Sequence, residues 1–320
     1  MMNGPSLLHP EELEALHQGV RFFQSRHGNR LAYHDFGDPG GEPILFFHGA
    51  GTHVHALQLH RPARQYGLRI IVADRPGVAQ SEFRHGWTLL EFAQDMADLL
   101  DHLRIPTAGA VGVSGGGPSL LATAYRFPDR LRYVVSLAGV MPVPPEPRYQ
   151  RDIGLTVRIL ARLGRHLPLE LFRLPYSLLG FLQTRLRSPE AFARLFASSL
   201  SGADQALFRD PDFQYQFMRD FQELFRHGSR GPAYDVQNFH KPWGFDLADI
   251  TLPIDAVHGD EDRIVPPLFS EYLKEHAREV RLEILPGEGH LCHTGKGFDT
   301  IRRVVARHHP GRSTWKSRER

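Results

Sequence analysis

The sequence predicts an α/β fold: a mostly parallel central sheet with helices on both faces, and a helical cap inserted late in the chain. Three features carry this expectation. Short apolar runs alternate with helix-spaced segments from about residue 43 to 137, and such alternation builds a parallel sheet covered on both sides. The run Pro43-Ile44-Leu45-Phe46-Phe47 is continuously apolar, as a strand buried on both faces must be. The alternation stops after Ala138-Gly139 and resumes at Leu252, and the stretch between is rich in Leu, Phe and Arg at helical spacing.

Taken in order, residues 11–18 read as a short peripheral helix. Residues 20–25 and 31–36 are β-like and are separated by Arg26-His27-Gly28-Asn29-Arg30, so they predict an N-terminal hairpin. The strand at 43–47 ends in His48-Gly49-Ala50-Gly51-Thr52, and one helix is expected from there to about Tyr66. The strand at 68–73 ends in Asp74-Arg75-Pro76-Gly77. Thr88 and Glu91 stand three apart at the start of a helix over 87–103, the spacing of a capping box. Residues 109–113 and 131–137 are further strands, and the Pro-rich stretch 141–147 reads as a rigid spacer. Beyond the helical stretch, strands are expected at 252–257 and 280–285, with helices at 267–277 and 298–307. The resulting division is a core of 20–140 and 245–310, a helical cap of 141–244, an N-terminal extension of 1–19 and a basic tail of 311–320.

The bulk properties exclude several function classes. A chain of 320 residues with 41% hydrophobic content can bury a substantial core. A net charge of +2 lacks the basic excess of a dedicated nucleic-acid binder. The lone cysteine, Cys292, allows neither an internal disulfide nor a cysteine-built zinc site. The first residues have no secretory pattern, and no window approaches the roughly 18 apolar residues of a membrane span. A cytoplasmic protein is expected, and its oligomeric state is not readable.

The chemistry centres on Gly112-Val113-Ser114-Gly115-Gly116, the spacing of a nucleophile elbow. A serine at the tip of a sharp strand-to-helix turn needs small residues two before and two after it. It also needs a base and an acid to orient that base. His290 follows the last strand in Pro286-Gly287-Glu288-Gly289-His290 and is the candidate base. The acid is Asp262 or Asp260, both in the loop after the preceding strand. An oxyanion hole needs two backbone N–H groups aimed at the developing charge: Gly115, and Ala50 from the loop after the strand at 43–47. His48 reads as a residue that fixes this loop rather than as a base. Of the insertion's arginines, including Arg158, Arg162, Arg165, Arg187 and Arg219, most read as a solvated face.

These segments, Phe47-His48-Gly49-Ala50-Gly51, Asp74-Arg75-Pro76-Gly77 with Ser81, the elbow, His258-Gly259-Asp260-Glu261-Asp262 and Pro286-Gly287-Glu288-Gly289-His290, resemble the signatures of the α/β-hydrolase fold superfamily. The resemblance implies a serine hydrolase with the triad Ser114, Asp262 and His290, because the last position of His-Gly-x-x-Asp carries the acid there. It implies bracing roles for Asp74 and Arg75, and no cofactor. The chain departs from the pattern at Ala79, where a second glycine is usual. Haloalkane dehalogenases and epoxide hydrolases carry Asp where Ser114 stands. The family does not name a substrate; the Leu and Phe residues of the cap point to a small, hydrophobic acyl compound, an ester first, with amide, lactone and thioester as alternatives. Two readings of other classes stand beside it: a metal site built from His53, His55 and His60, disfavoured because Ala56, Leu57 and Gln58 stand where an Asp and a His should follow, and a non-catalytic receptor for a small ligand.

Overall fold

In a computed structural model, the structure describes residues 7–308 apart from 144, 145, 147, 150–152, 187, 198, 199 and 295. The basic tail, Arg187 and part of the Pro-rich spacer therefore lie outside the described residues.

β1 (Arg21–Gln24) and β2 (Arg30–Gly37) form the expected hairpin, and β2 then runs antiparallel beside β4 (Leu68–Ala73). The other strands are β3 (Glu42–Phe47), β5 (Ala108–Val113), β6 (Leu131–Leu137), β7 (Ile254–Gly259) and β8 (Val280–Leu285). The sheet order is β1-β2-β4-β3-β5-β6-β7-β8, parallel from β4 onward. The central strands divide their side chains between two cores by simple alternation. Leu45, Phe47, Ile71 and Ala110 point to one core, and Ile44, Phe46, Ile70 and Val111 to the other.

The helices cover those two faces. α1 is Pro10–His17, α2 is His53–Leu57, α3 is His60–Gln65, α4 is Leu89–His102 and α5 is Gly117–Arg126. α4 begins with the expected capping box: Glu91 N donates to Thr88 Oγ1 at 3.2 Å, and Thr88 N donates to Glu91 Oε2 at 2.9 Å. α4 and α5 fill one core, and α1, α2 and α3 the other. Two expectations need correction. The single helix expected to about Tyr66 is two short ones, α2 and α3. Helix 11–18 is not peripheral: Leu8 and Leu13 are fully buried, and Arg219 Nε donates to Glu14 Oε1 at 2.6 Å.

Between β6 and β7 the described residues contain no strand. They form α6 (Leu155–His166), α7 (Leu169–Phe172), α8 (Leu174–Arg185), α9 (Pro189–Ala197), α10 (Gly202–Leu207), α11 (Pro211–Leu224) and α12 (Arg230–His240). α13 (Leu268–His276) and α14 (Lys296–His308) complete the layers. Among the described residues no helix is long and apolar enough to cross a membrane.

Candidate active site

Ser114 stands where β5 turns into α5, at φ +51°. A side chain at that angle costs about 1–3 kcal/mol and persists only where the surroundings enforce it. They do so through two close approaches. A Cβ on Gly112 would come within 2.8 Å of the Leu120 Cβ, and one on Gly116 would lie 2.1 Å from the Phe47 carbonyl oxygen. Neither neighbour can yield, so both positions need glycine.

Three loops at the carboxyl ends of β5, β7 and β8 bring the predicted side chains together. His290 Nε2 lies 2.9 Å from Ser114 Oγ, and His290 Nδ1 lies 2.8 Å from Asp262 Oδ2. Asp262 is fixed in turn by its own loop: Ile264 N and Val265 N donate to Oδ1 at 2.8 and 2.9 Å. His258 Nε2 stands 3.1 Å from Oδ2. Because His258 Nε2 also faces the Val265 carbonyl at 2.8 Å, that nitrogen carries the proton. Asp260 does not reach His290. Its Oδ1 accepts from Gly287 N at 2.7 Å and ties the β7 and β8 loops together.

The electrostatics favour a charged acid. Burial opposes ionisation of Asp262, but the His290 charge and the hydrogen bonds from both histidines outweigh it and hold its carboxyl well below the usual range. Burial likewise disfavours a protonated His290, yet the Asp262 carboxylate prevails and holds its pKa above the ordinary 6.5.

Ala50 and Gly115 both border the space at Ser114, and a Cβ on Gly115 would stand 3.1 Å from Ala50 N. Arg75 supports the Ala50 loop from behind. Its Nη1 donates to the His48 carbonyl at 2.8 Å and its Nη2 to the Gly49 carbonyl at 2.6 Å. The rest of its guanidinium forms a buried bidentate pair with Asp235 of α12, at 2.5 and 2.8 Å. Asp74 accepts from His53 N at 2.9 Å. Ala79 adopts φ +47°, so the loop keeps the left-handed turn that a glycine would make there. His48 is buried in this loop, and burial pushes its imidazole well below 6.5.

Three further acids, all from the insertion, hold the site and have no sequence signature. Besides Asp235 there is Asp204 of α10, which accepts from His290 N at 2.9 Å and Leu291 N at 2.8 Å. Its presence explains Gly289, whose Cβ would meet Asp204 Oδ2 at 2.2 Å. Asp220 of α11 accepts from Thr52 N at 2.9 Å and Thr52 Oγ1 at 2.6 Å; burial nevertheless pushes its carboxyl up to about 6.

The sequence-local histidines disperse. His53 stacks on His34 with ring centroids 3.9 Å apart and meets His17 at 2.9 Å, whereas His55 pairs with His293. His17, His34 and His53 offer nitrogens within 4.8 Å of one another. A histidine lone pair lies in its ring plane, however, and two stacked rings, 15° from parallel, cannot aim at one ion.

Two apolar chambers meet at Ser114. One, about 260 Å³, is lined by Val140, Met141, Leu179 and Phe239 among others. The other, about 240 Å³, is lined by Phe196, Phe208, Asp220 and His290 among others. Phe221 and Ile264 border both.

The sequence model of the alpha/beta hydrolase fold family matches residues 42–295. The chain is 33% identical over 276 residues to a 2-hydroxy-6-oxo-2,4-heptadienoate hydrolase of Pseudomonas putida, covering 85% of this chain and 90% of that one. Among solved structures it resembles an alpha/beta hydrolase fold protein from Nakamurella multipartita, with 26% identity, a TM-score of 0.64, and 90% and 98% of the two chains covered. It also resembles a thermophilic esterase from Thermogutta terrifontis, with 22% identity, a TM-score of 0.62, and 91% and 99% covered; that likeness bears on the fold alone.

Proposed function

The chain belongs to the alpha/beta hydrolase fold family, and from that membership we propose that it is a serine hydrolase of carboxylic esters, with Ser114 as nucleophile, His290 as general base and Asp262 as the acid that orients it. The observation that carries the reading is the unbroken line from Ser114 Oγ to His290 Nε2 at 2.9 Å and from His290 Nδ1 to Asp262 Oδ2 at 2.8 Å. With its Nδ1 proton donated to Asp262, His290 presents an unprotonated Nε2 to the serine hydroxyl.

Ser114 attacks the substrate carbonyl as its proton passes to His290 Nε2. The oxyanion is met by the backbone N–H groups of Ala50 and Gly115. Collapse of the intermediate needs a proton on the leaving group, and His290 supplies it. His290 lines the chamber with Phe196 and Phe208, so the alcohol leaves on that side and the acyl chain occupies the chamber with Met141 and Phe239. Water, activated by the same imidazole, then releases the acid. No cofactor takes part. Apolar walls on both sides suit a small hydrophobic ester; lactones, thioesters and amides would follow the same steps. The insertion, residues 141–244, serves as the cap over a core of 20–140 and 245–310. A cytoplasmic location is consistent with a lone, buried Cys292.

Labelling with a fluorophosphonate probe tests the reading. Covalent capture at Ser114, with loss of labelling in Ser114→Ala, is the expected result. An unlabelled protein that still bound small acyl compounds would favour the receptor instead. A panel of p-nitrophenyl esters of graded chain length, with lactone and amide controls, then fixes the substrate class.

A further inference from the structure

From Leu174 to Leu182, α8 carries apolar side chains on both its inner and its outer side, broken only by Ser177. Tyr176 and Leu179 on its inner side line the chamber at Ser114, while Leu174, Leu178 and Phe181 are 59%, 60% and 52% exposed. α6 adds to this face, with arginines standing among its outward apolar side chains. Val157 and Leu160 reach the same chamber, while Leu155, Ile159 and Leu163 are 64%, 49% and 42% exposed. Among the described residues, thirteen large hydrophobic side chains are exposed, and ten of them lie between 155 and 195; the others are Phe22, Ile264 and Ile284. A helix that is apolar on both sides is ordinarily covered on both, and exposed apolar surface this concentrated marks an interaction face.

The charge of this face identifies its partner. Residues 155–195 contain seven arginines and two acids, Glu170 and Glu190, and both acids are already paired, with Arg173 and Arg194. Arg158, Arg162 and Arg165 line an outer groove of about 550 Å³ together with Leu155 and Ile159. A second copy of the chain would set arginine against arginine across a two-fold contact. An anionic lipid surface instead takes the guanidinium groups at its phosphates and the Leu and Phe side chains in its acyl layer. We infer that the outer face of α6 and α8 docks on an anionic lipid bilayer, which brings the chamber lined by their inner sides next to the lipid. The docking stands apart from the serine-hydrolase reading; only the delivery of a membrane-held acyl lipid to Ser114 rests on it.

Co-sedimentation of the full chain with vesicles tests this, using phosphatidylcholine alone and phosphatidylcholine mixed with an equal part of phosphatidylglycerol. The chain is expected to bind the mixed vesicles and to leave the neutral ones largely unbound. Two double variants, Leu174→Ser with Leu178→Ser and Arg162→Glu with Arg165→Glu, should each weaken binding at least about tenfold. These side chains are exposed, so the variants should keep the unfolding midpoint of the wild type. Equal affinity for both vesicle types, no binding to either, or full binding by both variants would overturn the inference. So would a wild-type dimer that the leucine variant makes monomeric and that ignores vesicles. In a parallel assay, both variants should lose turnover of a long-chain ester held in mixed vesicles and keep turnover of a soluble short-chain ester. A wild type that bound the mixed vesicles but hydrolysed neither ester would count against the hydrolase reading and leave the docking intact.

Discussion

Asp204 accepts the backbone N–H of His290 at 2.9 Å, so a helix of the insertion, and not only the sheet, sets the position of the imidazole. Asp204→Ala would leave two buried N–H groups without acceptors, each worth about 1–3 kcal/mol. Turnover of a soluble ester is expected to fall by about ten- to a hundredfold, with KM changed much less. Asp204→Asn retains one acceptor and should recover part of the loss. Unchanged kcat in both variants would show that the β8 loop holds itself.

Ser114→Ala removes the proposed nucleophile. Turnover should fall by about four to six orders of magnitude, measured on the best ester of the panel, with the unfolding midpoint close to that of the wild type, because alanine brings the same Cβ to the turn at φ +51°. Substantial residual hydrolysis would sink the assignment.

Asp262 and Asp260 lie two residues apart in different surroundings, and their variants should separate sharply. Asp262→Asn can accept the His290 proton only poorly, and turnover should drop about 10⁴-fold. Asp260→Asn weakens the bond from Gly287 N and should cost about 1 kcal/mol of stability at most, with activity within a few-fold. The reverse order of effects would transfer the acid role to Asp260.

The pH dependence has opposite signs for activity and stability. In the proposed mechanism neutral His290 is the base, and its pKa is raised above 6.5 by Asp262, so kcat/KM should rise with pH through a value above 6.5. The ion pair stabilises the fold fully below the unfolded histidine value, and that contribution is lost as pH rises through the folded one. On the acid side, Asp262 is held well below 3.8, so its share survives until the pH falls through that lowered value. A kcat/KM profile that is flat across the neutral range would count against His290 as base.

Removing one member of the buried Arg75–Asp235 pair leaves the other charge without a partner. Asp235→Asn should therefore lower stability by about 3–5 kcal/mol, read from denaturant unfolding. Because Arg75 also holds the His48 and Gly49 carbonyls, kcat should fall as well through the Ala50 loop. A loss of stability with full activity would confine Arg75 to packing.

The sheet was legible because its physics is local. Alternation of Ile44 and Phe46 against Leu45 and Phe47 is a period-two signal, and Thr88 with Glu91 caps a helix from three residues away. The elbow and the loops at 48–52 and 286–290 were legible because short sterics and turn chemistry require their glycines, whereas in the loop at 258–262 only the family resemblance separated Asp262 from Asp260. The break between α2 and α3 had a local signal in Pro62, which lacks the N–H that a continuous helix would bond and is tolerated in the first turn of α3. Asp204, Asp220 and Asp235 were silent. Each bonds to a partner 86 to 168 residues away, and an isolated aspartate in a helical stretch looks the same whether it meets water or a buried guanidinium. The burial of Leu13 was hidden for the same reason.

The three acids also bear on how such an insertion can be exchanged. Asp204, Asp220 and Asp235 each end on the core, at His290, Thr52 and Arg75. A chimaera that received helices from a relative without those acids would leave a buried arginine without its carboxylate and the His290 and Thr52 backbones without acceptors. The helices of the insertion are therefore not an interchangeable cassette. Recombination inside α6 to α9 should be tolerated, whereas crossovers that replace α10 to α12 must carry their three core partners with them.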